Sequence, residues 1–394
     1  MPSRPRLQLT PSERRTSIAL AGLFACRMLG LFLLLPVFAV AARGLPGGTD
    51  PAKVGLAMGI YGLTQAILQI PFGLASDRWG RRPVVLLGLA LFVVGSVMCA
   101  LSPNVFWITI GRAVQGAGAI SAAITAWIAD ATRDEVRTRA MAMVGASIGV
   151  SFAVSLIAAP LLVGWWGLPG LFWTITCLGV LSFAVARWWV PVVPLSSNRT
   201  MRGAKPSQVF LHGDLLRLNF GVFCLHLIQV SLFVVVPSLL ARLDGLDVHD
   251  LWEVYLPVIL VSFVLMVPVV FLAERYRAHR AALIGAVAGL VVVLGLMDWG
   301  KGSFHAMLAL LTLFFVMFNV LEALQPSLVS RVAPAAYKGL ALGFYNTSQA
   351  AGLFCGGAVG GILASHSGPG AVFLAVAGLS VAWLAVSWGL KPLA

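Results

Sequence analysis

Residues 73–83 read GLASDRWGRRP and join two long apolar segments, residues 52–75 and 83–102. This connection contains three arginines and one aspartate, in a 394-residue sequence of which only 10% is charged and 59% is hydrophobic. Ordinary soluble domains contain about 25% charged residues. A chain of this composition cannot cover a soluble surface with polar groups, which excludes a cytosolic enzyme, a nucleic-acid-binding domain and a disordered chain.

Apolar segments of similar length recur on both sides of this connection. A helix needs about 20 mostly apolar residues to cross the hydrocarbon core of a bilayer. We therefore expect an all-α membrane protein with twelve transmembrane helices, separated by polar or glycine- and proline-rich breaks. The twelve predicted segments are residues 17–42, 52–75, 83–102, 105–131, 138–164, 169–190, 214–242, 250–273, 279–299, 303–331, 336–364 and 369–390.

The distribution of positive charge predicts the orientation of these helices. If the amino terminus is cytoplasmic, 21 of the 27 Lys and Arg residues lie on the cytoplasmic side and 4 lie outside. The other two, Arg27 and Arg112, fall within helices. This bias follows the positive-inside rule and predicts that both termini are cytoplasmic. It also accounts for most of the net charge of +13 without nucleic acid as a partner.

The two halves of the sequence resemble each other at a nearly constant offset. Residues 31–36 (LFLLLP) match residues 232–237 (LFVVVP) at an offset of 201, and residues 139–143 match residues 338–342 at an offset of 199. Two parallel six-helix halves around a site at the membrane midplane are typical of secondary transporters. The predicted organisation is a cytoplasmic tail at residues 1–16, six-helix bundles at residues 17–190 and 214–390, and a cytoplasmic linker at residues 191–213.

The connection at residues 73–83 resembles motif A of the major facilitator superfamily at its glycine, aspartate and arginine positions. In that superfamily the motif forms a charged cluster that latches the two halves together on the cytoplasmic side when the pathway opens outward. The resemblance assigns this role to Asp77, Arg81 and Asp130, with Asp77 facing the start of the eleventh helix. The residues of the predicted latch are Gly73, Asp77, Arg78, Gly80, Arg81, Arg82 and Asp130.

The resemblance extends to the fourth and fifth helices. Residues 112–119 (RAVQGAGA) are similar to motif B, and the fifth helix resembles the antiporter motif C, although Ala159 stands where that motif has glycine. Small residues along one stripe predict a tight contact of the fifth helix with the other half. The residues that resemble motif C are Gly145, Gly149 and Pro160.

Within the superfamily, residues 27–30, 59–65 and 69–74 look like the YajR type of bacterial inner-membrane transporter. This type is regarded as a proton-driven drug exporter, and it usually carries a small soluble domain after the twelfth helix. Only residues 391–394 follow that helix here, so we expect no C-terminal soluble domain.

Few ionisable residues lie deep in the predicted helices, and such residues are candidates for function because they are costly to bury. Glu322 is the first candidate to bind a proton, since an apolar environment disfavours a charged carboxylate. His226 is the second, because histidine changes charge near neutral pH in water. Arg112 belongs to motif B, which is linked in the superfamily to proton transfer. The alternatives are structural. They are an ion pair with an arginine for Glu322, packing with a bond to a neighbour such as Gln229 for His226, and a bond to the first-helix backbone or to a cavity water for Arg112.

Polar side chains on several helices predict a substrate cavity. Asn319, Glu322 and Gln325 follow an i, i+3, i+6 spacing and are expected to share one face of the tenth helix. Arg27 either contacts an anionic group, holds Glu322 ionised, or is structural. For the Asn and Gln side chains of this cavity, the alternative role is hydrogen bonding between helices. The predicted cavity residues are Arg27, Gln65, Gln69, Gln115, Gln229, Asn319, Gln325, Asn346 and Gln349.

These features predict a secondary transporter of a bacterial-type inner membrane, and not an enzyme. The expected activity is export of an amphipathic small molecule by proton antiport with alternating access. The incomplete motif C leaves a proton-coupled importer open, and a non-transporting sensor on the same fold is a further alternative. We expect no metal and no cofactor beyond the proton gradient. The expected partners are membrane lipid, a small-molecule substrate and protons, with the protein as a monomer.

Overall fold

The computed structural model describes residues 9–191, 207–334 and 337–391, and all regular structure within these residues is helical. Most of the predicted linker and half of the predicted tail lie outside the described residues. The helices are α1 Pro11–Phe32, α2 Phe38–Ala41, α3 Pro51–Trp79, α4 Arg81–Ala100, α5 Val105–Ala117, α6 Ser121–Ala131, α7 Asp134–Ala184, α8 Ser207–Phe210, α9 Gly213–Asp244, α10 Leu251–Arg275, α11 His279–Gly300, α12 Phe304–Val332 and α13 Lys338–Trp388.

Capping side chains explain where several helices begin. The Thr10 hydroxyl accepts a hydrogen bond from the Glu13 N–H at 3.2 Å, and the Glu13 carboxylate accepts one from the Thr10 N–H at 2.8 Å. This capping box starts α1 at Pro11, ahead of the predicted start at residue 17. Asp50 caps α3 and Asn104 caps α5. In each case the side-chain oxygen accepts a hydrogen bond from a backbone N–H of the first turn.

Two helices of 51 residues each, α7 and α13, are interrupted by a glycine with a positive φ angle. The φ angles are 67° at Gly167 and 77° at Gly368, in the region that favours glycine, and a proline follows two residues or one residue later. Both interruptions lie where the sequence predicts a turn between two helices. Among the described residues, nine helices are long and apolar enough to cross a membrane, these two included. The count of twelve crossings stays a prediction.

Two predicted helices are divided in the structure. The predicted helix at residues 17–42 ends at Phe32 and resumes as α2 at Phe38, because Pro36 removes a backbone donor and crowds the preceding turn. The predicted helix at residues 105–131 is divided between α5 and α6 at residues 118–120. Gly118 has a ψ angle of 54°, far from helical, in a glycine-rich stretch with low helix propensity.

The two halves pack most closely at one end of the bundle. We call the end that carries Arg81 and Arg280 the basic end, and the end that carries Asp50 and Lys301 the opposite end. The amino-terminal half is α1 to α7, and the carboxy-terminal half is α9 to α13.

Near the opposite end, α3 and α13 approach at backbone distance. A Cβ atom added at Gly55 of α3 would lie 2.2 Å from the carbonyl oxygen of Gly357 in α13, and one at Gly357 would lie 2.3 Å from that of Gly55. Real Cβ contacts are never so short, so the two glycines are needed for this approach. Small residues of this kind let neighbouring membrane helices pack closely.

The break after α1 supplies further contacts between the halves. The Tyr255 hydroxyl of α10 donates to the carbonyl oxygen of Pro36 at 3.3 Å, and the Ser238 hydroxyl of α9 donates to that of Ala39 at 3.1 Å. Carbonyl groups in and beside the break lack a complete set of partners within a helix, so they accept from the other half.

At the basic end, the contacts of several arginines stay within one half. Arg81 and Arg82 bind residues of the amino-terminal half, whereas Arg217, Arg280 and Arg331 bind residues of the carboxy-terminal half. Among the residues that the structure describes, the hydrogen bonds found between the halves therefore lie at the opposite end. With the predicted orientation, this arrangement closes the outer side of the membrane.

Candidate functional site

A polar cluster lies in the middle of the carboxy-terminal half, where α9, α12 and α13 meet. Nε2 of His226 in α9 lies 3.7 Å from Oε2 of Glu322 in α12. The amide nitrogen of Gln349 in α13 lies 2.7 Å from the same imidazole nitrogen. Nδ1 of His226 lies 3.0 Å from the carbonyl oxygen of Val222, one turn earlier in α9. The structure thus brings together three residues that the sequence predicts separately.

The neighbours of His226 fit a neutral imidazole. A carbonyl oxygen only accepts hydrogen bonds, so Nδ1 carries the hydrogen that is donated to Val222. Nε2 then accepts from the amide of Gln349. In this arrangement the imidazole is held by two hydrogen bonds, and Glu322 lies beside it. The alternative packing partner, Gln229, is fully buried and none of the hydrogen bonds found for His226 involves it.

Glu322 lies well inside α12, with its side chain 22% exposed. Among the described residues, His226 is the only basic side chain found within ion-pair distance of its carboxylate. The alternative in which an arginine holds Glu322 in an ion pair is therefore absent from this arrangement. Arg27 lies in the other half and donates instead to Ser121.

The predicted polar residues of α12 face two neighbouring helices, α9 and α10. Asn319 donates to the Ser262 hydroxyl of α10 at 3.0 Å, whereas Glu322 faces α9. Gln325 is fully buried, and its Oε1 would lie 2.9 Å from a Cβ added at Gly221 of α9. Glu322 and Gln325 thus both face α9, whereas Asn319 faces α10, because an i, i+3, i+6 spacing turns through about a third of a helix circumference.

A second polar cluster lies inside the amino-terminal half. Arg112 is fully buried, and its Nη1 donates to the carbonyl oxygen of Gly30 at 3.2 Å and to Oε1 of Gln115 at 2.8 Å. Gln115 donates in turn to the Ser96 hydroxyl at 2.7 Å. The guanidinium of Arg112 also stacks over Tyr61, with Cζ 4.7 Å from the ring centre. This is the structural alternative for Arg112, a bond to the backbone of the first helix.

Arg27 belongs to the same cluster. Its side chain is buried, Nη1 donates to the Ser121 hydroxyl at 2.6 Å, and Cζ lies 5.7 Å from the centre of the Tyr61 ring. Ser121 and Tyr61 were not among the site residues predicted from the sequence. The repeat contained one signal for Ser121, because it lies 201 residues before Glu322, the same offset that relates the helices containing Pro36 and Pro237.

The remaining predicted cavity residues are buried or half-buried. Gln65 and Gln69 of α3 and Gln229 of α9 are buried and have side-chain atoms without a hydrogen-bond partner. Asn346 of α13 is half-buried.

Motif A forms a compact network at the basic end. Nε of Arg81 donates to the Asp130 carboxylate at 2.8 Å, and Nη1 donates to the Ser76 hydroxyl at 2.8 Å and to Asp77. Arg82 donates to the carbonyl oxygen of Val190 at 2.8 Å. Arg81 thus bridges Asp77 and Asp130, as the resemblance implies.

Asp77 itself does not reach across to the other half in this arrangement. Its side chain is 63% exposed, and its ion pair is with Arg81 of the same half. Part of the predicted partner, the start of the eleventh helix at residues 335–336, lies outside the described residues. Gly80 has a φ angle of 97°, which explains why a glycine stands between α3 and α4. Arg78 is exposed. A Cβ atom added at Gly73 would lie at an ordinary contact distance from Ala122.

The glycines that resemble motif C lie in open surroundings. A Cβ added at Gly145 or Gly149 would meet nothing within 4 Å. The expected tight contact of this helix with the other half was therefore wrong for these glycines in this arrangement. The contact is found further along α7, beyond Pro160, where a Cβ at Gly164 would lie 2.3 Å from Nδ1 of His249.

An aromatic cluster joins the halves beside the polar cluster. The ring of Phe152 in α7 lies 6.4 Å from Phe233, 5.8 Å from Phe315 and 5.6 Å from Phe318, measured between ring centres. Phe318 lies 6.0 Å from the ring of His226. Sequence analysis did not single out these residues, since phenylalanine is common throughout an apolar chain.

Comparison with known sequences identifies the family. A sequence profile described as the Major Facilitator Superfamily matches residues 20–352 and, in a second match, residues 252–393. The chain belongs to the major facilitator superfamily. It is 42% identical over 391 residues to the inner membrane transport protein YajR of Escherichia coli (strain K12), a match that covers 98% of this chain and 85% of that protein. It is 24% identical over 341 residues to multidrug resistance protein MdtH of Proteus mirabilis (strain HI4320), covering 84% of this chain and 82% of that protein.

Solved structures agree on the fold of this superfamily member. A bacterial homolog of the human lysosomal transporter Spinster, in an inward-facing and occupied conformation, superposes with a TM-score of 0.71. That match has 14% sequence identity and covers 97% of this chain and 95% of the other. With the family match and the 42% identity to the inner membrane transport protein YajR, the protein is a multi-pass transporter of the inner membrane, and not an enzyme. Its partners include membrane lipid and a small-molecule substrate. Among the described residues, no group of three or more potential ligands is placed to hold a metal ion.

Proposed function

We propose that this transporter exports amphipathic small molecules in exchange for protons, and that Glu322 carries the proton. The observation that supports this most directly is the contact between Glu322 and His226 in the middle of the carboxy-terminal half. The proposal takes the protein as a monomer that crosses the membrane twelve times, with both termini cytoplasmic.

The position of Glu322 sets it apart from the other acidic residues. Of the 14 Asp and Glu residues, the other 13 lie in loops or within a few residues of a helix end. Glu322 lies 18 residues after the start of α12 and 10 before its end. A charged side chain at such a depth costs about 2.5–3.5 kcal/mol on insertion scales. Protonation removes this cost, so a carboxyl group at this depth is suited to loading and releasing a proton.

The neighbours of Glu322 support a link between the proton and the helices. A neutral imidazole accepts from Gln349, but an imidazolium has no acceptor site left at Nε2. Proton arrival at His226 would therefore turn Gln349 away and turn Nε2 towards the Glu322 carboxylate. Because these residues stand on α9, α12 and α13, a change of protonation alters the contacts among three helices.

The surroundings of the cluster support an amphipathic substrate. The aromatic rings of Phe152, Phe315 and Phe318 lie between the halves and next to His226. Aromatic rings with a few polar groups are typical of sites for apolar small molecules. The name of MdtH, a multidrug resistance protein, supports export of such compounds by a relative.

Proton movement in liposomes tests the proposal. Purified protein is reconstituted with a pH-sensitive dye in the lumen, a proton gradient is imposed, and amphipathic cations and neutral compounds are added in turn. We expect substrate-dependent proton release from the wild type and loss of at least 90% of it in the Glu322→Gln variant. Glu253→Gln is the matched control, because Glu253 is an exposed acid near the start of α10. Equal release from the Glu322→Gln variant would overturn the role of Glu322.

The same assay separates the alternative functions. Entry of proton and solute in the same direction would replace export by a proton-coupled importer, which the incomplete motif C leaves open. Saturable substrate binding without any flux, for every compound that binds, would favour a sensor on this fold.

A further inference from the structure

Among the described residues of the amino-terminal half, two buried positive charges have no carboxylate within ion-pair distance. Arg27 and Arg112 are 1% and 0% exposed, and both guanidinium groups lie near the Tyr61 ring. An uncompensated buried charge is strongly destabilising, so a structure that keeps two of them calls for a counter-charge. The six acidic residues of this half all lie at helix ends or caps, namely Glu13, Asp50, Asp77, Asp130, Asp134 and Glu135.

The cluster also contains more hydrogen-bond donors than acceptors. Nε and Nη2 of Arg27 and the same two atoms of Arg112 are buried without a hydrogen-bond partner. The buried hydroxyl of Tyr61 also lacks one. Guanidinium groups only donate, so the missing groups are acceptors. A small anion supplies acceptors and negative charge together, and guanidinium bonds to anions are among the strong ones.

The carboxy-terminal half shows the same construction with the acid present. Arg27 and His226 are 199 residues apart, and Ser121 and Glu322 are 201 residues apart. These offsets are the ones that relate the two halves of the sequence. In each half, a basic residue of the first transmembrane helix therefore faces a residue at the equivalent position of the fourth transmembrane helix. This residue carries a hydroxyl in the amino-terminal half and a carboxylate in the carboxy-terminal half. The amino-terminal half keeps the base and lacks the acid.

We propose that Arg27, Arg112, Tyr61 and Ser121 form an anion-binding site, which takes a chloride-sized ion or a single carboxylate group. Ser121 is the first residue of α6, directly after the non-helical residues 118–120. At this break, the start of α6 can move so that Ser121 separates from Arg27. The separation exposes the guanidinium nitrogens that have no hydrogen-bond partner. The inference goes beyond proton-coupled export, because it assigns an anion-binding site in the other half, and the first test of that site measures binding without flux.

Thermal unfolding of the purified full chain in detergent tests the site. The midpoint is measured at constant ionic strength while sodium methanesulfonate, whose anion is larger than chloride and contains no carboxylate, is replaced by sodium chloride. A ligand that binds only the folded protein raises the midpoint in a saturable manner, so we expect a rise of about 2 °C or more. A midpoint that does not depend on chloride in the wild type, with sodium acetate also without effect, would overturn the proposal.

Substitution of Ser121 provides the discriminating variants. Ser121→Asp places the missing carboxylate opposite Arg27, so we expect a higher midpoint in methanesulfonate and no further rise with chloride. Ser121→Ala leaves Arg27 without its hydroxyl partner and is expected to keep the chloride response, because both guanidinium groups remain. The matched control is Ser303→Asp, which places a carboxylate at the exposed N-cap of α12. A Ser121→Asp variant that responds to chloride like this control contradicts the proposal, as does one that unfolds at a lower temperature than the wild type in methanesulfonate.

Two sources of the anion are distinguished by a second pair of measurements. Benzoate carries a carboxylate on an aromatic body, and chloride is an inorganic ion. In liposomes, radiolabelled benzoate that is transported by the wild type and not by Ser121→Asp identifies the anionic group as part of the cargo. Binding of chloride without transport of benzoate identifies a resident inorganic anion. Either result supports the site. If the Ser121→Asp change alters neither the effect of chloride on the midpoint nor the transport of benzoate, the proposal is overturned.

Discussion

Nε2 of His226 lies 3.7 Å from Oε2 of Glu322, so an imidazole of α9 and a carboxylate of α12 face each other inside the carboxy-terminal half. Gln349 of α13 holds the same imidazole nitrogen at 2.7 Å. In the other half, Arg27 faces the Ser121 hydroxyl at 2.6 Å. The two halves thus share a base on equivalent helices and differ in the group that faces it.

Gln349→Ala is expected to weaken proton-coupled transport less than Glu322→Gln does. The change removes one hydrogen bond to His226 but keeps both groups that carry charge. A net contribution of about 1 kcal/mol for such a bond corresponds to about a fivefold loss of initial proton flux. The liposome assay measures this, with Thr347→Ala as the control because its hydroxyl binds only its own helix. Flux equal to the wild type would show that Gln349 does not position the imidazole.

Arg81→Ala is expected to destabilise the fold far more than Asp77→Asn. The side chains of Arg81 and Asp130 are 10% and 4% exposed, whereas that of Asp77 is 63% exposed. Removing one partner of a buried pair costs about 3–5 kcal/mol, and an exposed pair contributes about 0–1 kcal/mol. Thermal unfolding in detergent should show a fall of several degrees for Arg81→Ala and almost none for Asp77→Asn. Equal falls would mean that Asp77 and not Asp130 is the main partner of Arg81.

The sequence was sufficient to predict the elements with strong local signals. Residues 73–83 indicated the network around Arg81 through their resemblance to motif A of the major facilitator superfamily. The depth of Glu322 and His226 marked each of them as a candidate proton site, since charged groups inside a bilayer have few acceptable surroundings, but their contact with each other was not predicted. Turns at Gly167 and Gly368 followed from adjacent proline and glycine residues.

The sequence was not sufficient to predict which neighbouring residues the polar side chains contact. Gln325 turns towards Gly221 and Asn319 towards Ser262, although both lie on the same helix as Glu322. Helix periodicity gives an angle around one helix, but the partner depends on how three or four helices pack. The partner of Arg27, Ser121, could not be predicted either, because a serine in an apolar helix carries no distinctive pattern.

Tyr255→Phe is expected to loosen the closure at the opposite end. The hydroxyl donates to the carbonyl oxygen of Pro36 in the break after α1, and a hydrogen bond of this kind contributes about 0.5–1.5 kcal/mol. The closed population should therefore fall by a factor of about 2 to 10 relative to the open one. Spin labels at the exposed positions of Trp79 and Tyr276, both at the basic end, report the distance between the halves. An unchanged distance distribution would show that this bond does not contribute to closure.

Gly357→Val is expected to prevent closure at the opposite end and to shift the protein towards the alternative, outward-open arrangement. A Cβ atom at Gly357 would lie 2.3 Å from the carbonyl oxygen of Gly55, so α3 and α13 cannot keep their present distance. The clash is with backbone and cannot be relieved by rotating a side chain. Gly145→Val is the matched control, because a Cβ at Gly145 meets nothing within 4 Å. The same pair of spin labels should show a shorter distance at the basic end for Gly357→Val and no change for the control. A distance distribution for Gly357→Val that matches the wild type, in protein that remains folded, would contradict the assignment of this contact as the point of closure.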